Sequence, residues 1–433
     1  MSLLQSELTD EQKRVLNRVF WRVMPFVTAC MVIGTIDRSN VGFAKLTMTG
    51  DLGMSEAVFA LGASLFFVGY VLFEIPSALG VHRFGARFWF SRIMFTWGIA
   101  TIALAFTNSA TMFYIWRFLL GAAEAGLYPG LIFYITLWLP KAYIARGIGM
   151  LSIGSALGNG FGALVSGPLL DLNGAFGLAG WQWIFLVTGA IPLVGTIFVW
   201  LYMRDNISQA KFLTDAEKAD LSRSIGPGTT KKHSLGDTLK AMADPRVLGH
   251  GIGYTTLLTA LYGVIYWSPS VVKTFGVTGT QNGLLVFLPW AVNAVLLWLV
   301  PKLVPSKNNL VALIGVLVLG SAAFAAATLI EDSYFRYAML VVGIPCISLG
   351  LTFYWPFPAR MFTGAAAAVA LATINSIGNI GGFVGQNLMP ALAQAGGSAS
   401  AALIAPCVCL GAFALGCVIA LLRGRAAPRP AAG

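Results

Sequence analysis

Four ionisable side chains sit in stretches that are otherwise oily enough to cross a membrane. Asp37 and Arg38 are neighbours in one apolar run, and Arg117 and Glu124 stand seven apart in another. A charge in the hydrocarbon layer is costly unless it faces a protein interior or a wet cavity, so such residues mark substrate or ion paths by default. An arginine stays protonated and offers a planar fork of donors suited to a carboxylate. For an acid, desolvation favours the neutral form and a nearby arginine the charged one. That competition suits a group which must take up and release a proton. The reading that follows gives the proton to Asp37 and Glu124 and an anion to Arg38 or Arg117. Two buried salt bridges bracing the helices would use the same residue types. A brace needs no second pair, however, and the set of four favours transport.

The elements that must hold these groups are membrane spans. The 433-residue chain is 57% hydrophobic and only 10% charged, against roughly 25% charged in soluble domains. Apolar runs of span length lie near 20–44, 57–79, 88–107, 112–138, 147–170, 182–203, 247–271, 281–300, 309–329, 335–358, 365–389 and 400–422. The polar N-terminal residues and the long first apolar run do not have the form of a cleavable signal peptide. Of the 28 lysines and arginines, only Lys45, Lys273 and Arg336 fall to one side of the membrane, while Arg38 and Arg117 lie within it. The rest share the other side, which the positive-inside rule makes cytoplasmic, together with both termini. The net charge of +11 therefore reports topology and argues against nucleic-acid binding. Cys30, Cys346, Cys407, Cys409 and Cys417 all lie in apolar runs and read as packing residues.

The expected fold is all-α: twelve transmembrane helices in two six-helix bundles facing a central cavity. The divisions are a cytoplasmic N-terminal segment 1–19, a first bundle 20–203, a cytoplasmic linker 204–246, a second bundle 247–422 and a tail 423–433. The linker contains Gly226-Pro227-Gly228 and a short helix over Leu213–Ser224 capped by Thr214. Six spans on each side suggest a repeat, as in many secondary transporters. The fifth span of each half supports it. Gly154, Gly158 and Gly162 step by four in the first, and Gly378 with Gly382 and Gly381 with Gly385 do so in the second. Small residues at that spacing let helix backbones approach closely.

Counting at 1.5 Å per residue puts Asp37 roughly 10 Å below the outer surface, Arg117 roughly 8 Å and Glu124 roughly 18 Å. Arg117 and Glu124 share a helix face, whereas Asp37 and Arg38 point about 100° apart. Glu74, beside Pro76, belongs near the cytoplasmic end of the second span and reads as a helix-end acid. Ser155 with Asn159, Asn375 with Asn379, and Tyr254, Tyr262 and Tyr266 recur at helical spacing. Interhelical hydrogen bonding explains any one of them as well as a substrate contact does. Tyr266-Trp267 and Tyr354-Trp355 wall a pocket or fill a core on equal terms.

The wording of several spans resembles the anion:cation symporters of the major facilitator superfamily. The strings are Asp37-Arg38-Ser39-Asn40-Val41-Gly42-Phe43-Ala44, Phe73-Glu74-Ile75-Pro76-Ser77 and the fourth-span run from Arg117 to Gly130. In the second half, Asn375-Ser376-Ile377-Gly378-Asn379 through Gly385 is similar to the eleventh-span motif. The resemblance implies proton-driven uptake of organic anions such as tartrate, phthalate, hydroxyphenylacetate, galactonate or glucarate. It implies proton coupling at Asp37 and Glu124, and anion binding at Arg38 and Arg117. Asn375 or Asn379 is implied as a substrate contact, with Tyr266, Trp355 and Asn159 completing the expected lining. The loop Gly80–Arg87 departs from the wider superfamily, with His82 where an aspartate precedes the arginine. The loop Pro301–Lys307 lacks the corresponding acidic-basic pair. A cytoplasmic gate built on those salt bridges is in doubt, and the central site is not.

The expected activity is symport of a small hydroxy- or dicarboxylate, sugar acid or aromatic carboxylate, with the proton as coupling ion and no cofactor. The expected partners are that carboxylate and the lipid bilayer, with no nucleic acid. The expected setting is a monomer in the inner (plasma) membrane of a bacterium. A drug:proton antiporter is the alternative, disfavoured by two intramembrane arginines. A receptor or channel would need a signalling domain or a continuous polar pore. An enzyme is not expected, because His82, His233 and His250 are scattered and no metal or nucleophile motif stands out.

Overall fold

The computed structural model describes residues 9–225, 242–361 and 365–426. Gly226-Pro227-Gly228, His233 and the end of the tail lie outside them. The first bundle is built from α1 (Asp10–Asp51), α2 (Glu56–Phe84), α3 (Ala86–Leu104), α4 (Ala110–Glu124), α5 (Leu127–Trp138), α6 (Lys141–Leu170) and α7 (Gly180–Tyr202). The linker helix α8 spans Asp215–Ile225. The second bundle holds α9 (Pro245–Lys273), α10 (Gly279–Leu303), α11 (Asn309–Leu329), α12 (Ser333–Tyr354), α13 (Pro356–Met361), α14 (Ala365–Ala395) and α15 (Ile404–Ala426). With α4–α5 and α12–α13 each read as one broken rod, these are twelve membrane-length rods, as the apolar runs require. Nine of the described segments are both long and apolar enough to span by themselves. The other three, α3, α9 and α14, carry arginines or many glycine, threonine and amide residues among their apolar ones.

Two spans, the first and the fourth, depart most from the sequence expectation. The first helix starts ten residues before 20 and runs seven past 44. Its start is fixed by a capping box, in which Thr9 Oγ1 accepts from Gln12 N and Gln12 Oε1 accepts from Thr9 N. Its early turns are held by α8, where Gln12 Nε2 donates to Asp220 and Arg18 pairs with Glu217 at 3.0 Å. Lys45, expected in an outer connection, is therefore a buried helical residue paired with Glu56 at 2.9 Å. The fourth span, expected unbroken over 112–138, breaks after Glu124. Gly126 adopts φ +84°, the left-handed conformation that ends helices and that an L-residue resists. Helix α8 begins where Thr214 was expected to cap it, since Thr214 Oγ1 accepts from Glu217 N.

The glycine stripes mark the closest helix packing. Along α6, Gly154, Gly158 and Gly162 face Thr28, Val32 and Ile36 of α1, and a Cβ at Gly158 would stand 2.6 Å from the Val32 carbonyl oxygen. Along α14, Gly378, Gly381 and Gly385 face Tyr254, Thr255 and Thr259 of α9, and a Cβ at Gly385 would stand 2.6 Å from the Thr259 carbonyl oxygen. The same correspondence holds for other pairs: α3 packs on α7 and α4 in the first bundle, and α11 packs on α15 and α12 in the second. The outward faces expose Phe95, Ile99, Phe198, Trp298 and Leu319, as lipid contact demands.

By its internal contacts the chain divides into Met1–Lys232 with Thr278–Phe287, and His233–Val277 with Leu288–Gly433. The short segment belongs to the first unit partly through Asp171, which follows α6. Its carboxylate accepts from the backbone N–H groups of Gly279 and Thr280 at 2.8 Å each, capping the start of α10. At the aqueous start of α9, Asp244 accepts from Arg246 N at 2.8 Å. Hydrogen bonding from the Arg246 side chain holds the Asp244 carboxyl down at about 2.

Candidate functional site: an arginine–glutamate pair and a buried aspartate in the first bundle

The first-span motif separates its two charges. Arg38 swings toward α4, where its Nε donates to Glu124 Oε1 at 2.7 Å and its Nη2 lies 2.6 Å from the same oxygen. Glu124 is wholly buried, at 0% side-chain exposure, whereas Arg38 keeps 14%. The break after Glu124 explains the position of this acid. As the last residue of α4 its carboxylate stands at the negative end of the helix dipole, a mismatch that the Arg38 guanidinium offsets. Across from it, Gly34 on α1 leaves the space that Leu127 fills, and a Cβ there would come 2.7 Å from Leu127 Cδ2. The second carboxyl oxygen, Oε2, is buried with no hydrogen-bond partner.

The Arg38 guanidinium also lies over aromatic rings of α2. Its Cζ is 4.9 Å from the Tyr70 ring centroid and 5.6 Å from that of Phe66. Arg117 approaches the same Phe66 ring at 5.2 Å and donates from Nη2 to the Ala63 carbonyl at 2.8 Å. Phe66 thus serves both guanidinium groups, and cation–π contact gains strength in a desolvated setting. The two arginines differ in access: Arg117 is 2% exposed, while the Arg38 side chain is 14% exposed.

Asp37 turns the opposite way, as the 100° offset requires. It is 1% exposed and lies among α1, α3 and α7. Its Oδ1 accepts from Thr101 Oγ1 at 2.9 Å and from Asn40 Nδ2 at 3.1 Å, and Asn40 Nδ2 also donates to Thr188 Oγ1 at 2.9 Å. Its Oδ2 is buried without a partner. Asp37 is therefore not part of the Arg38–Glu124 pair, although both are held by α1.

Asn159, on α6, is buried and donates to the Ser155 carbonyl at 3.1 Å, which leaves its Oδ1 without a partner. In the second bundle Asn379 is buried and Asn375 half-buried on α14. Tyr266 is buried beside Trp267, whose Nε1 donates to the Ala399 carbonyl. Trp355 sits at the break between α12 and α13, edge-on to Tyr254 at 5.0 Å, and Tyr254 stacks on Tyr354 at 5.7 Å. His250 Nδ1 meets the Tyr354 hydroxyl at 3.1 Å. Glu74 is buried on α2.

Sequence reading missed Phe66, Tyr70, Thr101 and Thr188. Phe66 and Tyr70 are four apart and so share a face, a signal that was available. The two threonines are lone hydroxyls in apolar spans, which no spacing singles out.

Residues 27–386 match the family model described as Major Facilitator Superfamily. A relative from Agrobacterium vitis named "Putative tartrate transporter" is 36% identical over 97% of this chain and 93% of its own length. A relative from Acinetobacter baumannii named "Quinolone resistance transporter" is 34% identical over 87% of this chain and 88% of its own. Among solved structures, the D-xylose-proton symporter superposes with a TM-score of 0.69 at 14% identity, covering 92% of this chain and 97% of that one. That likeness is one of fold.

Proposed function

The chain belongs to the Major Facilitator Superfamily, as a transporter and not an enzyme, and we propose that it imports a small organic anion together with protons across the bacterial inner membrane. The observation that carries this reading is the closed Arg38–Glu124 pair, with both nitrogens of the fork within 2.7 Å of one carboxylate oxygen. With the anion absent, Glu124 occupies the guanidinium. Protonation of Glu124 removes the charge that holds Arg38. The freed fork then takes the carboxylate of a solute, and proton and anion travel together through the family's alternating-access cycle. On the far side the steps reverse: the anion leaves, Arg38 closes on Glu124, and the proton is expelled. Neutralising both charges lowers the cost of moving them through a low-dielectric protein. Asp37 is the second proton carrier, placed apart from the anion. Arg38, the more accessible of the two, is the anion ligand, while Arg117 supports it through Phe66.

The substrate class is a hydroxy- or dicarboxylate, sugar acid or aromatic carboxylate. The relative named for tartrate supports the first of these. Asn375, Asn379, Tyr266, Trp355 and Asn159 are the proposed contacts for the remainder of the solute. In proteoliposomes, labelled tartrate, galactonate and hydroxyphenylacetate would be offered with an inward proton gradient. At least one should accumulate above its external concentration and leak away when a protonophore is added. Uptake indifferent to the protonophore would overturn the proposal.

A second reading is proton-driven export of an amphipathic drug, favoured by the relative named for quinolone resistance. In that case a quinolone inside the vesicles would drive protons in the opposite direction to itself.

A further inference from the structure

We infer that Thr101, Asn40 and Thr188 are positioning residues that fix which oxygen of Asp37 carries its proton and how readily that proton leaves. The inference rests on the reading of Asp37 as a proton carrier.

A threonine inside a helix ordinarily gives its hydroxyl proton to the carbonyl four residues back. Thr35, Thr96, Thr188 and Thr196 all do so here. Thr101 does not. It donates across to another helix, to Asp37 Oδ1 at 2.9 Å, from a position that is 0% exposed. Thr188 spends its one proton on the Ile184 carbonyl at 2.7 Å, so toward Asn40 it acts only as an acceptor. That orients the Asn40 amide with its NH2 group between Thr188 and Asp37. Asn40 is then a fixed donor to Oδ1 at 3.1 Å.

Two donors from two helices thus fill Oδ1, and the third helix fixes the orientation of one of them. No room for a proton remains on Oδ1. In the neutral acid the proton resides on Oδ2, which is buried and has no hydrogen-bond partner. Both donors favour the carboxylate over the acid. Removing one should make Asp37 hold its proton to higher pH.

The charged groups acting on Asp37 are Glu124 and Arg117 of α4, and Arg38 on its own helix is turned to Glu124. Helix α6 carries no titratable side chain from Gly147 to Leu170, α7 none from Gly180 to Leu201, and α3 none from Ile93 to Leu104. Helix α5 contributes Tyr128 and Tyr134, and α2 contributes Tyr70 and Glu74. Thr101→Val alters none of these.

The test is an infrared titration of the purified full chain in lipid from pH 4 to 10. The reporter is the protonated-carboxyl band that Asp37→Asn abolishes. This readout needs no substrate. In Thr101→Val the midpoint should rise by about one pH unit, the size expected for one hydrogen bond to a charged group. Thr101→Ser, which keeps the hydroxyl, should restore the original midpoint. Thr188→Val, which only loosens Asn40, should shift it in the same direction by less. A midpoint unchanged in both valine variants would overturn the inference. So would the lack of any band lost in Asp37→Asn. Proton-driven uptake that survived Asp37→Asn would instead count against the proposed role of Asp37 in transport, and the infrared shift would stand apart from it.

Discussion

In the first bundle α6 lays Gly154, Gly158 and Gly162 along α1, and in the second α14 lays Gly378, Gly381 and Gly385 along α9. Each stripe carries a buried asparagine directly after a glycine, Asn159 in one and Asn379 in the other. The contents that these frames support differ. The first bundle encloses Asp37, Arg38, Arg117 and Glu124. The spans of the second hold no acid among the described residues, and their buried arginine, Arg336, donates from the first turn of α12 to the Ala327 and Ile330 carbonyls. In place of charge the second bundle has the aromatic group Tyr254, Tyr354 and Trp355. Close backbone packing is thus separable from chemistry. Small residues set the frame in both halves, and among the described residues only the spans of the first half carry acids.

Under the proposed function, proton coupling belongs to the first bundle and shape selection to the second, and variants can break that division. The largest effect belongs to Glu124→Gln, which removes the titrating group and weakens the hold on Arg38. Gradient-driven accumulation should fall to background while exchange of internal for external solute persists, a pairing that counterflow assays separate. Next come Gly158→Val and Gly385→Val, which force side chains into backbone. Each should lose about 1–3 kcal/mol of stability or more by overpacking. A large loss of thermal stability in only one of them would contradict the shared frame. Arg38→Lys retains the charge but loses the fork. It should raise the KM for the transported anion about tenfold, in keeping with one charge-assisted hydrogen bond. The smallest effect is expected from Asn379→Ala, which should raise KM about fivefold, the value of one neutral hydrogen bond. Its pH profile should match that of the unaltered protein. A displaced profile would show that the second bundle shares in coupling.

Much of the fold was legible because hydrocarbon thickness imposes runs of about 20 apolar residues. Three features were not. The length of α1 depends on capping at Thr9 and on α8, both outside the apolar run. The break at Gly126 was hidden because glycine within a membrane helix is common and only the backbone conformation shows which one ends it. Lys45 looked like a loop charge because its partner, Glu56, lies beyond the helix end. At the site, the charged residues announced themselves by the cost of burying them, and their 100° separation followed from helix geometry. The partners of Asp37 did not, since nothing local distinguishes Thr101, which donates across helices, from Thr96, which donates within its own.

The most direct test of proton coupling through Glu124 follows the proton itself. Proteoliposomes containing a trapped pH indicator would be challenged from outside with tartrate, galactonate, glucarate, phthalate and hydroxyphenylacetate. At least one should acidify the lumen of vesicles bearing the unaltered protein and leave that of Glu124→Gln vesicles unchanged. Equal acidification in both, or a lumen that turns alkaline when the solute enters, would contradict the account.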